Sequence, residues 1–386
     1  MRLATFLIVA VIVHGSLWPY DFRIPPGPGG PLDALLHSWP GHPSRTDIIA
    51  NVLLYIPLGL FAASAGRGPA VVRFCLVTLA GALLSVTMEL IQFYDPGRFT
   101  SLSDVITNTT GTALGAAAAL MLGRSRLPGL QRIAAEPVPA LLLAAMLGYR
   151  LAPWVPSANL HKYWTAIQPL LSGPLPPPDQ VFRYFALWLT ASELLAALSS
   201  PHAAVFLAPM LVLFVLIGKV LVVGSVLTRP ELAGAALAVG VAWPILASLR
   251  RHTPIVAAVL LASVVLQRLA PFTFLPEPRP FGWLPFRAFL SGSALVNIAS
   301  MLEKLFLYGS LLWLLARAGM RQWAAAALVA AILFATSFAE RWLPGRSAEI
   351  TDMVMVLITA VLLRALEAWR PLKPARGAAA APARPR

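Results

Sequence analysis

The sequence predicts an all-α polytopic membrane protein that crosses the bilayer about twelve times. Apolar residues make up 58% of the 386 residues, charged residues 12%, and the mean hydropathy is +0.74. The apolar residues fall into runs of about 20, which is the length an α-helix needs to cross the hydrocarbon layer. Strand-like alternation is absent, and unpaired backbone amides cannot face lipid, so we expect helices. The predicted segments are 3–18, 47–65, 69–94, 104–123, 137–155, 180–199, 202–226, 231–249, 253–270, 294–318, 320–339 and 350–369.

A short phrase recurs three times and divides these segments into sets of four. It reads Leu-x-Pro followed by an aromatic residue, at 17–20, 151–154 and 269–272. Each phrase follows the first helix of a set, opens a proline-rich loop and is followed by three more helices. We therefore predict three four-helix repeats. They are a first unit (1–125), a degenerate middle unit (137–250) and a last unit (253–370), followed by a disordered basic tail (371–386).

The elements of the first unit carry the clearest polar signals. Segment 3–18 has no small-residue cleavage site after it, so we expect it to stay as a helix. Segment 69–94 ends with Glu89 and Gln92, which share one helix face. Ser101 lies where an N-cap would open segment 104–123, with Asp104 three residues later. Asn108 continues the Asp104 face, and glycines at 111 and 115 favour close helix packing.

The same polar pattern returns in the last unit. Pro-Gly-Arg occurs at 96–98 and at 344–346, and in both places an acid follows six residues after the arginine. The second set is Glu340, Arg346, Glu349 and Asp352. Charged groups next to apolar helices are costly and ask for a function or a partner. These ten residues (Glu89, Gln92, Arg98, Ser101, Asp104, Asn108 and the second set) are the candidate binding site.

Charge sets the predicted orientation and excludes one class of function. With the N-terminus inside, the inner segments contain only Glu136 and Glu367 as acids, which is the positive-inside pattern. The net charge of +14 is thus an orientation signal, and no basic cluster coincides with a soluble fold that would bind nucleic acid. Both termini are expected in the cytoplasm and both Pro-Gly-Arg loops outside. The inner cations are Arg2, Arg67, Arg73, Arg124, Arg126, Arg132, Arg250, Arg251, Arg317, Arg321 and those of the tail.

Two interpretations of the candidate site stay open at this point. In one, Arg98 binds Glu89 or Asp104 and ties neighbouring helices together. In the other, the arginine and the helix N-terminus bind a ligand such as a lipid phosphate. Asp47, Asn51 and Glu303 are secondary candidates within or next to the predicted helices. No spacing typical of a metal site or of a nucleotide cofactor occurs, so we expect neither.

The first unit resembles a known family. The elements are the run from Asp47 through Asn51 to Gly59, the Glu-x-x-Gln end of segment 69–94, Arg98 to Asp104, and 108–111. Together, over about residues 15–123, they resemble the VanZ-like family, and the last unit resembles a diverged copy. The resemblance implies a protein of the bacterial inner membrane with an accessory role in glycopeptide resistance.

Three functions are compatible with these residues. The first is an accessory protein that binds a lipid-linked glycan, a lipid phosphate, a cell-wall precursor or an unknown protein partner. The second is a transporter or lipid flippase, for which Glu303 would continue a polar path from Glu89 and Glu340. The third is a membrane-embedded transferase or hydrolase acting on a phospho-lipid. No nucleophile with an adjacent base stands out, which disfavours an enzyme.

Overall fold

The computed structural model describes residues 1–26, 29–38, 44–123, 128–171, 175–287 and 294–368. Every secondary-structure element named within these residues is a helix. The predicted tail, 371–386, lies outside the described residues.

The first unit consists of four long helices and one short one. Serine side chains begin two of them: Ser44 Oγ accepts from the Asp47 amide (3.1 Å), and Ser101 Oγ accepts from the Asp104 amide (3.3 Å). Such caps satisfy amides that have no partner within the helix. The cap predicted at Ser101 is thereby confirmed. The helices are α1 (Arg2–Leu17), α2 (Pro31–His37), α3 (Arg45–Ala65), α4 (Ala70–Gln92) and α5 (Leu102–Leu122).

Proline begins most helices of the middle unit. It stands at the first helical position of α6, α7, α9 and α10, where its missing N–H costs nothing. The fourth span of this unit is interrupted by a π-helical segment. The helices are α6 (Pro128–Ala135), α7 (Pro137–Arg150), α8 (Leu160–Leu171), α9 (Pro178–Leu198), α10 (Pro201–Leu221), α11 (Arg229–Ala235), the π segment (Ala236–Ala242) and α12 (Trp243–Ala247).

The last unit has four helices in its described part. The third ends in a 3₁₀ turn (Glu340–Trp342), after which the Pro-Gly-Arg loop leads into the fourth. The helices are α13 (Thr253–Leu269), α14 (Ala294–Arg317), α15 (Gln322–Ala339) and α16 (Thr351–Glu367).

The number of long membrane spans is smaller than predicted. Each of the twelve predicted segments contains a helix, but within the described residues eight spans are long and apolar enough to cross a membrane. Helices α1, α7 and α13, which correspond to the first predicted segment of each unit, are shorter, with 16, 14 and 17 residues. Helix α16 has 17 residues. At 1.5 Å per residue, such helices are about 21–26 Å long, less than a hydrocarbon core of about 30 Å. The chain is thus a multi-pass membrane protein, and its described residues contain eight candidate spans of full length.

The three phrases adopt one backbone conformation. The proline follows a cis peptide bond in each, and the aromatic residue after it has a left-handed φ of 60–66°. Its amide donates to the carbonyl of the phrase leucine, at 2.8, 2.9 and 3.0 Å for Tyr20, Trp154 and Phe272.

A second backbone contact also recurs. In each unit the residue four positions after the phrase proline donates its amide to a carbonyl at or just after the end of the third helix. The chain after the phrase therefore lies beside the chain that leads into the fourth helix. The three bonds are Arg23 to Tyr94 (2.7 Å), Ser157 to Leu221 (2.8 Å) and Leu275 to Trp342 (2.6 Å).

One apolar core joins the units. It includes fully buried side chains from all three, such as Tyr55, Trp188, Trp243 and Phe306. Large apolar residues on the outside of the bundle, such as Phe206, stay exposed in the chain alone, as expected for surfaces that face lipid. Each fourth helix is thereby held against its neighbours with its first turn at one end of the bundle.

Candidate functional site

Two carboxylates converge on the first turn of α5. Glu89, at the end of α4, is 4% exposed, and its Oε2 accepts from the Ser101 amide at 2.8 Å. The Ser101 hydroxyl donates to Asp104 Oδ1 at 3.3 Å while it caps the helix. The cap therefore places Glu89 and Asp104 around the same helix N-terminus, whose dipole favours negative charge.

Polar side chains lie one helical turn below this pair. Ser85 precedes Glu89 by four residues and Asn108 follows Asp104 by four, so both continue the same helix faces. The Asn108 Nδ2 donates to Ser85 Oγ at 2.9 Å, and the amide is 7% exposed. Its Oδ1, also buried, has no hydrogen-bond partner. From α3, the Asn51 side chain reaches the Asp104 carboxylate.

Arg98 forms no direct ion pair with these carboxylates, although such a pair was one of the two interpretations left open by the sequence. Arg98 donates instead to the carbonyl of Gly15, at 3.4 Å, at the end of α1. Gln92 likewise donates to the neighbouring carbonyl of Ser16, at 2.7 Å. Both side chains satisfy carbonyls that a helix end leaves without a partner. They tie α1 to the α4–α5 loop.

Within the described residues, no lysine, arginine or histidine forms an ion pair with Glu89 or Asp104. Backbone amides at the start of α5 contact the cap and the Glu89 carboxylate instead. The site gathers Glu89, Ser101, Asp104 and Asn108 from the predicted set around one helix N-terminus.

The corresponding carboxylates of the last unit are neutralised by cations. Asp352 forms ion pairs with both Arg268 and Lys304, and Arg268 also lies 3.1 Å from Glu340. Arg268 is further bound by hydroxyls of Thr336 (2.8 Å) and Ser337 (2.6 Å). This cluster is a closed network in which the guanidinium has no free face for a ligand.

Two further predicted residues of the last unit have structural partners. Arg346 donates to the carbonyls of Gln267 (2.6 Å) and Ala270 (3.0 Å), as Arg98 does in the first unit. Glu349 accepts from the Thr351 hydroxyl at 3.1 Å and pairs through its backbone with Gly282. Neither side chain binds Asp352.

The middle unit contains a third carboxylate cluster. Glu231, in the first turn of α11, is fully buried and forms ion pairs with Arg150 and with Lys219, the latter at 2.5 Å. The unit that looked degenerate in sequence therefore keeps its acid, together with two cations.

Sequence reasoning missed the cations as site residues. Arg150 and Arg268 each stand three residues before the phrase proline, at the end of the first helix of their units. Aligning the phrases would have found this pair. Lys219 and Lys304 come from different helices, the third and the second, so no shared spacing marked them.

Of the secondary candidates, Asn51 joins the first-unit site through its contact with Asp104. Asp47 and Glu303 have other hydrogen-bond or ion-pair partners. Asp47 is exposed and accepts from the Ser44 hydroxyl at 2.7 Å. Glu303 pairs with Arg183 of α9 at 2.7 Å, which ties the middle and last units together. In the part of the chain that the structure describes, no three His, Cys, Asp or Glu side chains group to hold a metal.

Apolar spans that bury carboxylate clusters at their ends define a multi-pass membrane protein with internal polar sites. The comparisons identify its first part. Residues 10–123 match the VanZ/LLP1 family model, so this four-helix region is a VanZ/LLP1 family domain. No curated protein and no solved structure shows significant similarity to the chain. The match agrees with the predicted resemblance over 15–123.

Proposed function

We propose that this protein is an accessory factor of the bacterial inner membrane. It binds the headgroup of an envelope lipid or of a lipid-linked cell-wall precursor at the first-unit site and alters the access of glycopeptides. The observation that carries this proposal is the Glu89–Asp104 pair, two carboxylates at a helix end that form no ion pair with a cation among the described residues. Charges in such places are costly, and binding a ligand is one way in which they contribute to function.

The hydrogen bonds of the site indicate that the ligand is not recognised through a phosphate group. Three amides that would bind an anion at the start of α5 are engaged: Ser101 N by Glu89, Leu102 N by Ser38 Oγ (2.8 Å) and Asp104 N by Ser101 Oγ. Arg98 faces Gly15. A phosphate would meet carboxylates rather than donors, so the headgroup is recognised through other groups.

The same bonds favour binding over catalysis. The Ser101 hydroxyl is used as a helix cap, and the Ser85 hydroxyl accepts from Asn108. Neither is left as a nucleophile beside a free base. A transport path through Glu303 is also disfavoured, because that carboxylate is paired with Arg183.

We propose further that the chain consists of three repeats of one four-helix unit with both Pro-Gly-Arg loops outside. The recurring phrase conformation and the recurring bond to the third-helix end support this division. So do the acids in the first turn of each fourth helix, Asp104, Glu231 and Asp352. Parallel repeats with an even number of helices keep one orientation, which agrees with the distribution of arginine.

Glycopeptide susceptibility tests the proposed function. The wild-type gene, Asp104→Asn, Glu89→Gln and the control Asp47→Asn are expressed in a susceptible bacterium, and teicoplanin inhibition is measured at equal membrane levels. We expect the wild type and Asp47→Asn to reduce susceptibility and the other two to lose the effect, because they remove the site's charge. Full activity in Asp104→Asn and Glu89→Gln would contradict the proposal.

A further inference from the structure

The position three residues before the phrase proline is occupied differently in the three units. In the middle and last units, the residue three before the phrase proline is an arginine that pairs with the acid of the fourth helix, Arg150 with Glu231 and Arg268 with Asp352. In the first unit that residue is Ser16. Its side chain is uncharged, so this position of the first unit does not supply the cation that Arg150 and Arg268 supply in the other two units.

The second cation is missing in the same way. The middle unit adds the ammonium of Lys219 and the last unit adds that of Lys304. Among the described residues, no lysine or arginine forms an ion pair with Asp104 or Glu89. Arg98 acts on both carboxylates electrostatically, but its guanidinium donates to the Gly15 carbonyl. The chain itself thus shows twice which chemical group completes this arrangement of helices: a nitrogen cation that donates N–H bonds.

A buried, unpartnered acceptor lies at the same place. Asn108 Oδ1 is one turn below Asp104, is buried in a residue that is 7% exposed, and has no partner. Buried acceptors without partners cost free energy, so this atom can accept a hydrogen bond from a ligand that reaches it. Tyr55, 1% exposed, adds a hydroxyl within electrostatic reach of both carboxylates.

We propose that the first-unit site binds a primary ammonium or a guanidinium group between Glu89 and Asp104. This inference rests on the proposed function for the location of the ligand and adds its chemistry. The carboxylate oxygens and Asn108 Oδ1 all accept hydrogen bonds. A cation with N–H groups therefore both neutralises the carboxylates and donates hydrogen bonds to these acceptors. A quaternary ammonium has the charge without the donors and binds worse. The group can belong to an amine-bearing lipid headgroup or to a soluble amine.

The lipid source is tested by native mass spectrometry of the full chain from nanodiscs with equal phosphatidylethanolamine and phosphatidylcholine. The variants are Ser16→Arg, which supplies a guanidinium from the chain, and Ser16→Met, a control of similar size without charge. Phosphatidylcholine has a quaternary ammonium and cannot form the charge-assisted N–H bonds. We therefore expect retained phosphatidylethanolamine to exceed phosphatidylcholine by about tenfold in the wild type and in Ser16→Met. We expect that ratio to fall to about one in Ser16→Arg.

The soluble source is tested in detergent. The thermal midpoint is measured with propylammonium chloride and with tetramethylammonium chloride at the same ionic strength. A rise with propylammonium alone, lost in Ser16→Arg and in Asp104→Asn, supports the proposal even where no lipid preference is seen. Asp104→Asn serves as the second variant if Ser16→Arg does not fold.

Three results would overturn the inference. The first is the same retention and the same midpoint shift in the wild type and in Ser16→Arg. The second is no preference for the ammonium group with either probe. The third is a lipid without an amine that the wild type retains and Asp104→Asn loses, which would leave the proposed function intact. Loss of the proposed function would appear separately, in the teicoplanin measurement.

Discussion

Buried carboxylates are the residues around which this bundle is organised. Glu231 is fully buried and Asp352 is 7% exposed, and each is matched by two cations. Removing a charge from water costs several kcal/mol, and a close partner with further hydrogen bonds offsets that cost. Arg268 meets this requirement, since it contacts two carboxylates and three hydroxyls, those of Thr336, Ser337 and Tyr308. Its loss leaves Glu340 without a cation within ion-pairing distance.

Replacing this arginine tests the network. We expect Arg268→Met to lower the free energy of unfolding by about 3–5 kcal/mol, because buried carboxylates are left without their partner. The control is Arg250→Met, at an exposed position between helices, where we expect a change of about 0.5 kcal/mol or less. Unfolding is followed in mixed micelles of mild and denaturing detergent. Equal effects at both positions would contradict the network's role.

At the scale of elements, α3 and α5 are helices whose backbones approach each other very closely. A Cβ added to Gly111 would lie 2.2 Å from the Val52 carbonyl oxygen, and one added to Gly115 would lie 2.0 Å from that of Ile56. From the opposite side, a Cβ on Gly59 would meet the Thr112 carbonyl oxygen at 1.9 Å. The predicted small-residue face is therefore the surface on which α5 meets α3. This close approach brings Asn51 to Asp104.

Gly115→Ala tests this contact. The new methyl group would meet backbone, which cannot rotate away, so α5 must shift. We expect stability to fall by about 1–3 kcal/mol, in the range of overpacked cores. Gly123→Ala, at the end of the same helix, is the control, because its Cβ would have its nearest contact at an ordinary 3.4 Å. Unfolding midpoints of the two variants that coincide would argue against the tight α3–α5 approach.

At the scale of the whole molecule, the units share one core but differ in their polar clusters. The middle and last clusters are closed by cations of the chain, whereas the described residues form no ion pair with the carboxylates of the first. Glu303 and Arg183 connect two of the units at 2.7 Å. The middle and last units also pack against the first through the shared apolar core.

Thiol labelling tests the proposed orientation. The chain has one cysteine, so Cys75→Ser gives a background without thiols. Into it we place Phe99→Cys, at a side chain 91% exposed in the Pro-Gly-Arg loop, or Arg250→Cys on the predicted inner side. A membrane-impermeant maleimide should label residue 99 in intact cells and residue 250 only after the membrane is opened. The reverse labelling pattern would contradict the proposed orientation and indicate the opposite one.

Much of the site was predictable because its parts are local. A serine cap with an acid three residues later and an amide four residues further on is a pattern of one helix, and the structure contains it at Ser101, Asp104 and Asn108. The partner of Arg98 was left open for a non-local reason. Its charge is compatible with a carboxylate or a ligand phosphate, whereas the end of α1 places carbonyls beside it, and the guanidinium donates there.

By itself the sequence determined the class of protein, the positions of the helices and the VanZ/LLP1 region, because apolar runs and caps depend on neighbours in the chain. Only the tertiary structure decided which charges are paired. Arg150 and Glu231 are 81 residues apart, and Arg268 and Asp352 are 84 apart. Charges so distant in sequence meet only when helices pack, and a charge's partner is set by the side chains that packing brings within a few ångströms. That is why Ser16 acquires its significance in the folded molecule.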